Sequence, residues 1–127
     1  FILQHKSIFP YDKQIFHQNL LIVKNIFSDQ KDNNIALTSE DNSPLLYKDL
    51  KALADKISRQ LSANNISNKD RAAIILPNGS HMASSFLAIS SYMSAAPLNP
   101  NYKADEYEFY LNDLKPKIVI FRTIFFR

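Results

Sequence analysis

The residues whose types could do chemistry are few. They are His5, His17 and His81, the carboxylates Asp105, Glu106 and Glu108, the serines from Ser80 to Ser94, and the aromatic residues Tyr102, Tyr107, Phe109 and Tyr110. A metal site needs ligands gathered at short spacings. No two of the histidines stand so, and no cysteine joins them, so each reads as a surface histidine. Two neighbouring carboxylates can serve as acid and base. Asp105 and Glu106, however, fall in the first turn of a predicted helix, where negative charge is favoured by the helix dipole. Ser80, Ser84, Ser85, Ser90, Ser91 and Ser94 include no Gly-x-Ser-x-Gly elbow, and no histidine follows His81 to activate one of them. They read as small packing residues. The aromatic residues could stack on bases, but their spacing spreads them over more than one helical face, which fits core packing with partial exposure.

Gly79 is the only glycine. A Walker loop or a dinucleotide fingerprint needs several glycines, because the backbone itself must approach phosphate. Neither can be built here, so nucleotide chemistry has to come from outside this segment. We therefore assign no catalytic, cofactor-binding or metal-binding residue within the chain. The net charge of +3 arises from scattered lysines. Lys48, Lys51 and Lys56 interleave with Asp49 and Asp55, the pattern of a solvated helix face. Nucleic-acid binding would want clustered basic residues beside aromatics. There are four arginines, and two of them, Arg122 and Arg127, sit in the tail.

The elements that would position these side chains alternate between helix and strand. At 127 residues with 46% apolar content, the chain is at most one domain with a modest core. No apolar run reaches bilayer length, and the N-terminus lacks the apolar core of a signal peptide. Absence of cysteine leaves the redox compartment unread. Residues 1–13, with Pro10 and Asp12, form an irregular lead-in. Phe16, Leu20, Val23 and Phe27 share one helical face. Residues 28–34 read as a loop, Ile35 to Ser39 as a strand, and Asp41, Asn42, Ser43 and Pro44 as a turn.

Leu46 to Asn64 is a predicted helix with the stripe Leu50, Leu53, Ala54, Ile57 and Leu61. Asn64 and Asn65 end it, since asparagine tolerates a left-handed cap. Ala72 to Leu76 is an unbroken apolar run stopped by Pro77, which fits a strand covered on both faces in a parallel sheet. Asn78-Gly79 then turns into a helix over Ser80 to Met93. Ala95 to Leu98 reads as a strand ended by Asn99-Pro100. Ala104 to Leu114 reads as a helix lined by Tyr107, Tyr110, Leu111 and Leu114, with Lys103 near its cap position, where Ser or Thr would bond the free amides better. Lys117 to Phe121 is a last strand. The fold class is α/β, with right-handed crossovers and mostly parallel strands.

In this order the segments resemble the opening of the adenylate-forming acyl-CoA synthetases, over roughly Ile15 to Phe121. Leu46-Tyr47-Lys48-Asp49-Leu50 resembles the Leu-Thr-Tyr-x-Glu-Leu motif. Asp70 to Gly79 resembles the Gly-Asp-Arg-Val-Ala strand with its Pro-Asn turn. Ser94 to Pro100 resembles the Gly-Ala-x-x-x-Pro-Leu-Asn-Pro segment, and Glu106 to Asp113 with Pro116 to Ile120 resemble the helix and strand that follow. The Ala-Pro-Leu-Asn and Glu-Phe-Tyr-Leu phrasing is most similar to the oxalate–CoA and coumarate–CoA ligase branch. Asn65, Lys69 and Ser94 stand where the family has glycine. At Lys69 and Ser94 a side chain would bring strain or crowding if those positions need positive φ. The segment 122–127 departs from the pattern. Its Ile124, Phe125 and Phe126, with Phe121 before it, make an aggregation-prone end.

The resemblance implies that residues 1–127 are a partial N-terminal scaffold segment of the large domain, and that the remainder of that domain is its partner. The parent enzyme is expected to use ATP, Mg2+ and CoA. It would join a small carboxylic acid to AMP and then pass the acyl group to the CoA thiol. The family's phosphate loop, nucleotide contacts and catalytic lysine lie downstream, so the chain alone is expected to be inactive and to bind none of these cofactors. Phe1 in place of methionine fits either a processed chain or an incomplete sequence, and the second is the expectation. The alternative is a small interaction protein that keeps the scaffold without catalysis, binding a partner through its Phe-rich tail. The parent is expected in the cytoplasm or peroxisome.

Overall fold

The computed structural model describes residues 23, 25–27, 29–40 and 42–122. Within them the order is β1 (Ile35–Ser39), β2 (Asn42–Leu46), α1 (Tyr47–Ala63), β3 (Arg71–Ile75), α2 (Ser80–Ser90), β4 (Ser94–Pro97), α3 (Ala104–Leu114) and β5 (Ile118–Phe121). Of the predicted N-terminal helix, Val23 and residues 25–27 are helical. Phe16, Leu20, the lead-in with Pro10 and Asp12, and the tail beyond Arg122 lie outside the described residues. No helix among the described residues is long and apolar enough to cross a membrane.

The expected turn at Asp41 to Pro44 is corrected. Asn42–Leu46 is a strand, antiparallel to β1, pairing Ile35 with Leu46, Leu37 with Leu45 and Ser39 with Asn42 in an irregular register. Turn-forming residues mislead here because Asn42 is already paired with Ser39. Pro44 is tolerated because both strands of a two-stranded sheet are edges.

This hairpin feeds α1 directly. Leu46 stands at the N-cap with no side chain able to accept an amide hydrogen bond. The preceding loop does that work instead: Tyr47 N donates to Asn34 O and Lys48 N to Asp32 O, each at 3.0 Å. Lys51 reaches back to the same loop, at 2.8 Å from Asp32 Oδ1 and 2.6 Å from Gln30 O. Of the predicted apolar stripe, Leu50 and Ala54 are buried against Phe27 and Ala88. Leu53, Ile57 and Leu61 are half-buried. Asn64 Nδ2 caps Gln60 O at 2.8 Å, and Asn65 takes the left-handed conformation with φ 58°.

Strand β3 is the centre of a three-stranded parallel sheet in the order β4-β3-β5. Ala72, Ala73 and Ile74 pair with Ala95, Ala96 and Pro97 on one side, and with Ile118, Val119 and Ile120 on the other. Alternation sends Ala72, Ile74 and Leu76 to one face. There they pack with Ile118, Ile120, Ile57 and Leu61, and with Met82, Phe86 and Ile89 of α2. Helix α3 covers β3 from the opposite face, and Ala73, which points that way, is fully buried. The two crossovers therefore lie on opposite faces, as right-handed connections from β3 out to β4 and back past it to β5 require. Met93, predicted at the end of α2, lies beyond the helix yet is completely buried.

Two of the expected glycine departures carry no backbone penalty. Among the described residues the non-glycine positive-φ positions are Asn65 and Lys115, so Lys69 and Ser94 have ordinary backbones. Lys115 is the unexpected one, a left-handed C-cap of α3 at φ 46°. At the other end of α3, Glu106 Oε2 accepts from Lys103 N at 2.9 Å, so the glutamate supplies the capping that the lysine side chain cannot. Arg71 Nε donates to Leu114 O at 2.5 Å and Lys117 N to Arg71 O at 2.7 Å, which fastens the end of α3 to the start of β3.

Just before β3, Asp70 Oδ2 accepts from Ser67 N at 2.7 Å and Ser67 Oγ at 3.1 Å. The Ser67 amide leads in holding this carboxyl below its ordinary value. Partial desolvation opposes it, while the Ser67 hydroxyl, Lys117 and Arg71 assist. A carboxyl depressed in the folded state stabilises the fold above its unfolded pKa, and that contribution is lost as pH falls through the depressed value. Asp70→Ala should therefore lower the urea midpoint at pH 7, and the gap from the parent chain should close as the pH is taken below 4. Lys115→Gly should raise stability by about 0.5–1 kcal/mol, since relief of left-handed strain outweighs the added entropy of the unfolded glycine. The same urea titration measures it.

Candidate functional site

In open parallel sheets, ligands bind in the crevice outside the carboxyl ends of the strands. Here the chain leaves those ends through three segments: Leu76 to Gly79 after β3, Leu98 to Asn101 after β4, and Arg122 after β5. They enclose a groove of about 810 Å3 lined by Asn78, Asn99, Asn101, Pro77, Pro100 and Arg122, among others. An adjoining hollow of about 640 Å3 shares Pro77, Asn78 and Arg122 and adds Ser80, His81 and Ser85. A third groove, of about 540 Å3, lies apart from the strand ends, between α1 and the α2–β4 turn, beside Arg59, Ser62 and Tyr92.

The geometry of the crevice is set at two points. Gly79, the N-cap of α2, has φ 146° and ψ −171°, a conformation nearly closed to other residues. A Cβ there would meet nothing within 4 Å, so the demand is one of backbone conformation and not of space. On the other wall, Leu98 N donates to Ile74 O at 2.9 Å, and Asn99 Oδ1 accepts from Asn101 N at 3.0 Å. Tyr107 Oη donates to Asn99 O at 2.9 Å and so ties this loop to α3.

The residues weighed from the sequence separate clearly. His81 is exposed on the rim of the crevice, while His5 and His17 lie outside the described residues. Ser84 Oγ donates to His81 O at 3.3 Å, Ser91 Oγ to Ala88 O at 2.7 Å, and Ser90 Oγ to Phe86 O. These three hydroxyls therefore bond to backbone carbonyls of the α2 region, a packing role. Asp105 and Glu108 lie on the outer face of α3 beside Asn112, Asp113 and Phe109, away from the crevice.

Tyr102 and Tyr110 stack at 4.9 Å between centroids and 12° between planes, with Tyr107 edge-on to Tyr102 at 5.7 Å. The aromatic residues thus pack on one another, including Phe109, which is 66% exposed yet lies edge-on to Tyr110 at 5.3 Å. A hydrogen bond with Tyr110 leads in raising the Tyr102 phenol above its ordinary value, with desolvation and the charge of Glu106 adding to it. Among the described residues no three His, Asp or Glu side chains gather as a metal site.

The crevice therefore offers amides, one guanidinium and one imidazole on a rigid frame, without an assembled nucleophile or phosphate cradle. It is also open on one side. β5 pairs with β3 alone among the described strands, and its Val119 and Phe121 are 39% and 62% exposed. The lining residues Asn78, Asn99, Asn101 and Arg122 were not read from the sequence as site residues. The available signal was that each follows the end of a predicted strand.

Comparison with known proteins matches residues 26–124 to the model of a family described as AMP-binding enzyme. The oxalate–CoA ligase of Saccharomyces cerevisiae is 34% identical over 95 residues, which is 69% of this chain and 18% of the yeast protein. The oxalate–CoA ligase of Arabidopsis thaliana is 41% identical over 64 residues, or 50% of this chain and 12% of that protein. Among solved structures, apo MatB from Rhodopseudomonas palustris superposes with a TM-score of 0.69 at 24% identity, covering 80% of this chain and 20% of MatB. The chain thus spans about a fifth or less of the length of these relatives.

Replacing Gly79 with L-alanine should cost about 1–3 kcal/mol through the backbone alone. D-alanine at the same position, introduced by semisynthesis, should restore stability, because positive φ suits it. Thermal melts of the two variants make the comparison.

Proposed function

From the premise that this chain belongs to the AMP-binding enzyme family, we propose that it is the N-terminal scaffold segment of an ATP-dependent acid–CoA ligase. Its task is to hold one wall of a site that the rest of the domain completes. The observation that carries this reading is the half-built crevice: three strand ends and their loops are rigidly placed, while the apolar face of β5 beside them stands open. Coverage of about a fifth of each relative agrees with a missing remainder.

The residues present do not fit ATP and Mg2+ by themselves. The chain's one glycine is consumed at the start of α2, and among the described residues no three His, Asp or Glu side chains gather as a metal site. The chemistry of adenylation and thioester formation therefore belongs, in this reading, to downstream residues, and the chain alone is inactive. What its own residues do is mechanical. β3 fixes the height of the Pro77-Asn78-Gly79 turn, and Tyr107 fixes the Asn99-Pro100 loop. Arg71 locks α3 so that β5 emerges beside β3 at a set register. The oxalate–CoA ligases among the relatives favour a small carboxylic acid as the substrate of the whole enzyme.

A chimera tests this directly. The 127-residue chain replaces the corresponding segment of the yeast oxalate–CoA ligase, and ATP–pyrophosphate exchange is measured with oxalate. Exchange should be present in the chimera and absent from the chain alone. A folded but inactive chimera, or an active isolated chain, would overturn the proposal. In the same pair, Phe121→Asp should improve solubility of the isolated chain. It should destabilise the chimera by about 1.5–3 kcal/mol, the cost of no longer burying a phenylalanine.

A further inference from the structure

We draw no further inference here: the strongest candidate, the outer edge and open apolar face of β5 with Val119 and Phe121 exposed, carries nothing beyond the proposed scaffold role because nothing in the structure shows what covers it.

Discussion

The structure depends on burying β3 from every direction at once. Its edges are paired on both sides, its Ala72 and Ile74 face α1 and α2, and its Ala73 lies under α3. Such a strand can carry no polar side chain in its middle, since a buried polar group without a partner costs several times what a net hydrogen bond returns. It also needs small residues. Ala72 sits level with Ala95 and Ala73 with Ala96, so β3 and β4 present only methyl groups to the helices at these two levels. Arg71, at the strand's exposed start, turns the one charge of the segment into a clamp on the last carbonyl of α3.

The remaining geometry follows from that strand. With β4 on one side and β5 on the other, the loops leaving the three strands converge at the carboxyl end, and there the crevice forms. The loops there are held by a glycine conformation at Gly79, an Asn99 side chain bonding its own loop, and the Tyr107 hydroxyl on Asn99 O.

Much of this was legible in the sequence. The unbroken run from Ala72 to Leu76 gave away a two-sided strand, because an alternating pattern would have meant one solvated face. Asn64-Asn65 marked a left-handed stop, and the observed φ of Asn65 bears that out. Ala104 to Leu114 emerged with the predicted bounds and the predicted inner side, Tyr107, Tyr110, Leu111 and Leu114. Other features were hidden for physical reasons. β2 exists only through pairing with β1, and its Asn, Ser and Pro are turn formers in isolation. The left-handed Lys115 is the C-cap of α3, a conformation that lysine does not signal as glycine or asparagine would, and Arg71 holds the neighbouring Leu114 O from 43 residues away in the chain. The crevice residues Asn78, Asn99 and Arg122 come together only through strand order and register, which no local pattern encodes.

The central claim is that β3 is the mechanical core and β5 its half-covered neighbour. Hydrogen exchange resolved to single amides in the folded 127-residue chain tests it most directly. The account predicts that Ala72 to Ile74 exchange slowest, at the rate of global unfolding, while β5 contains amides that exchange by small local openings. Uniform protection of β5 equal to that of β3 in a monomeric chain would contradict it, as would β3 amides exchanging as fast as those of the β1–β2 hairpin.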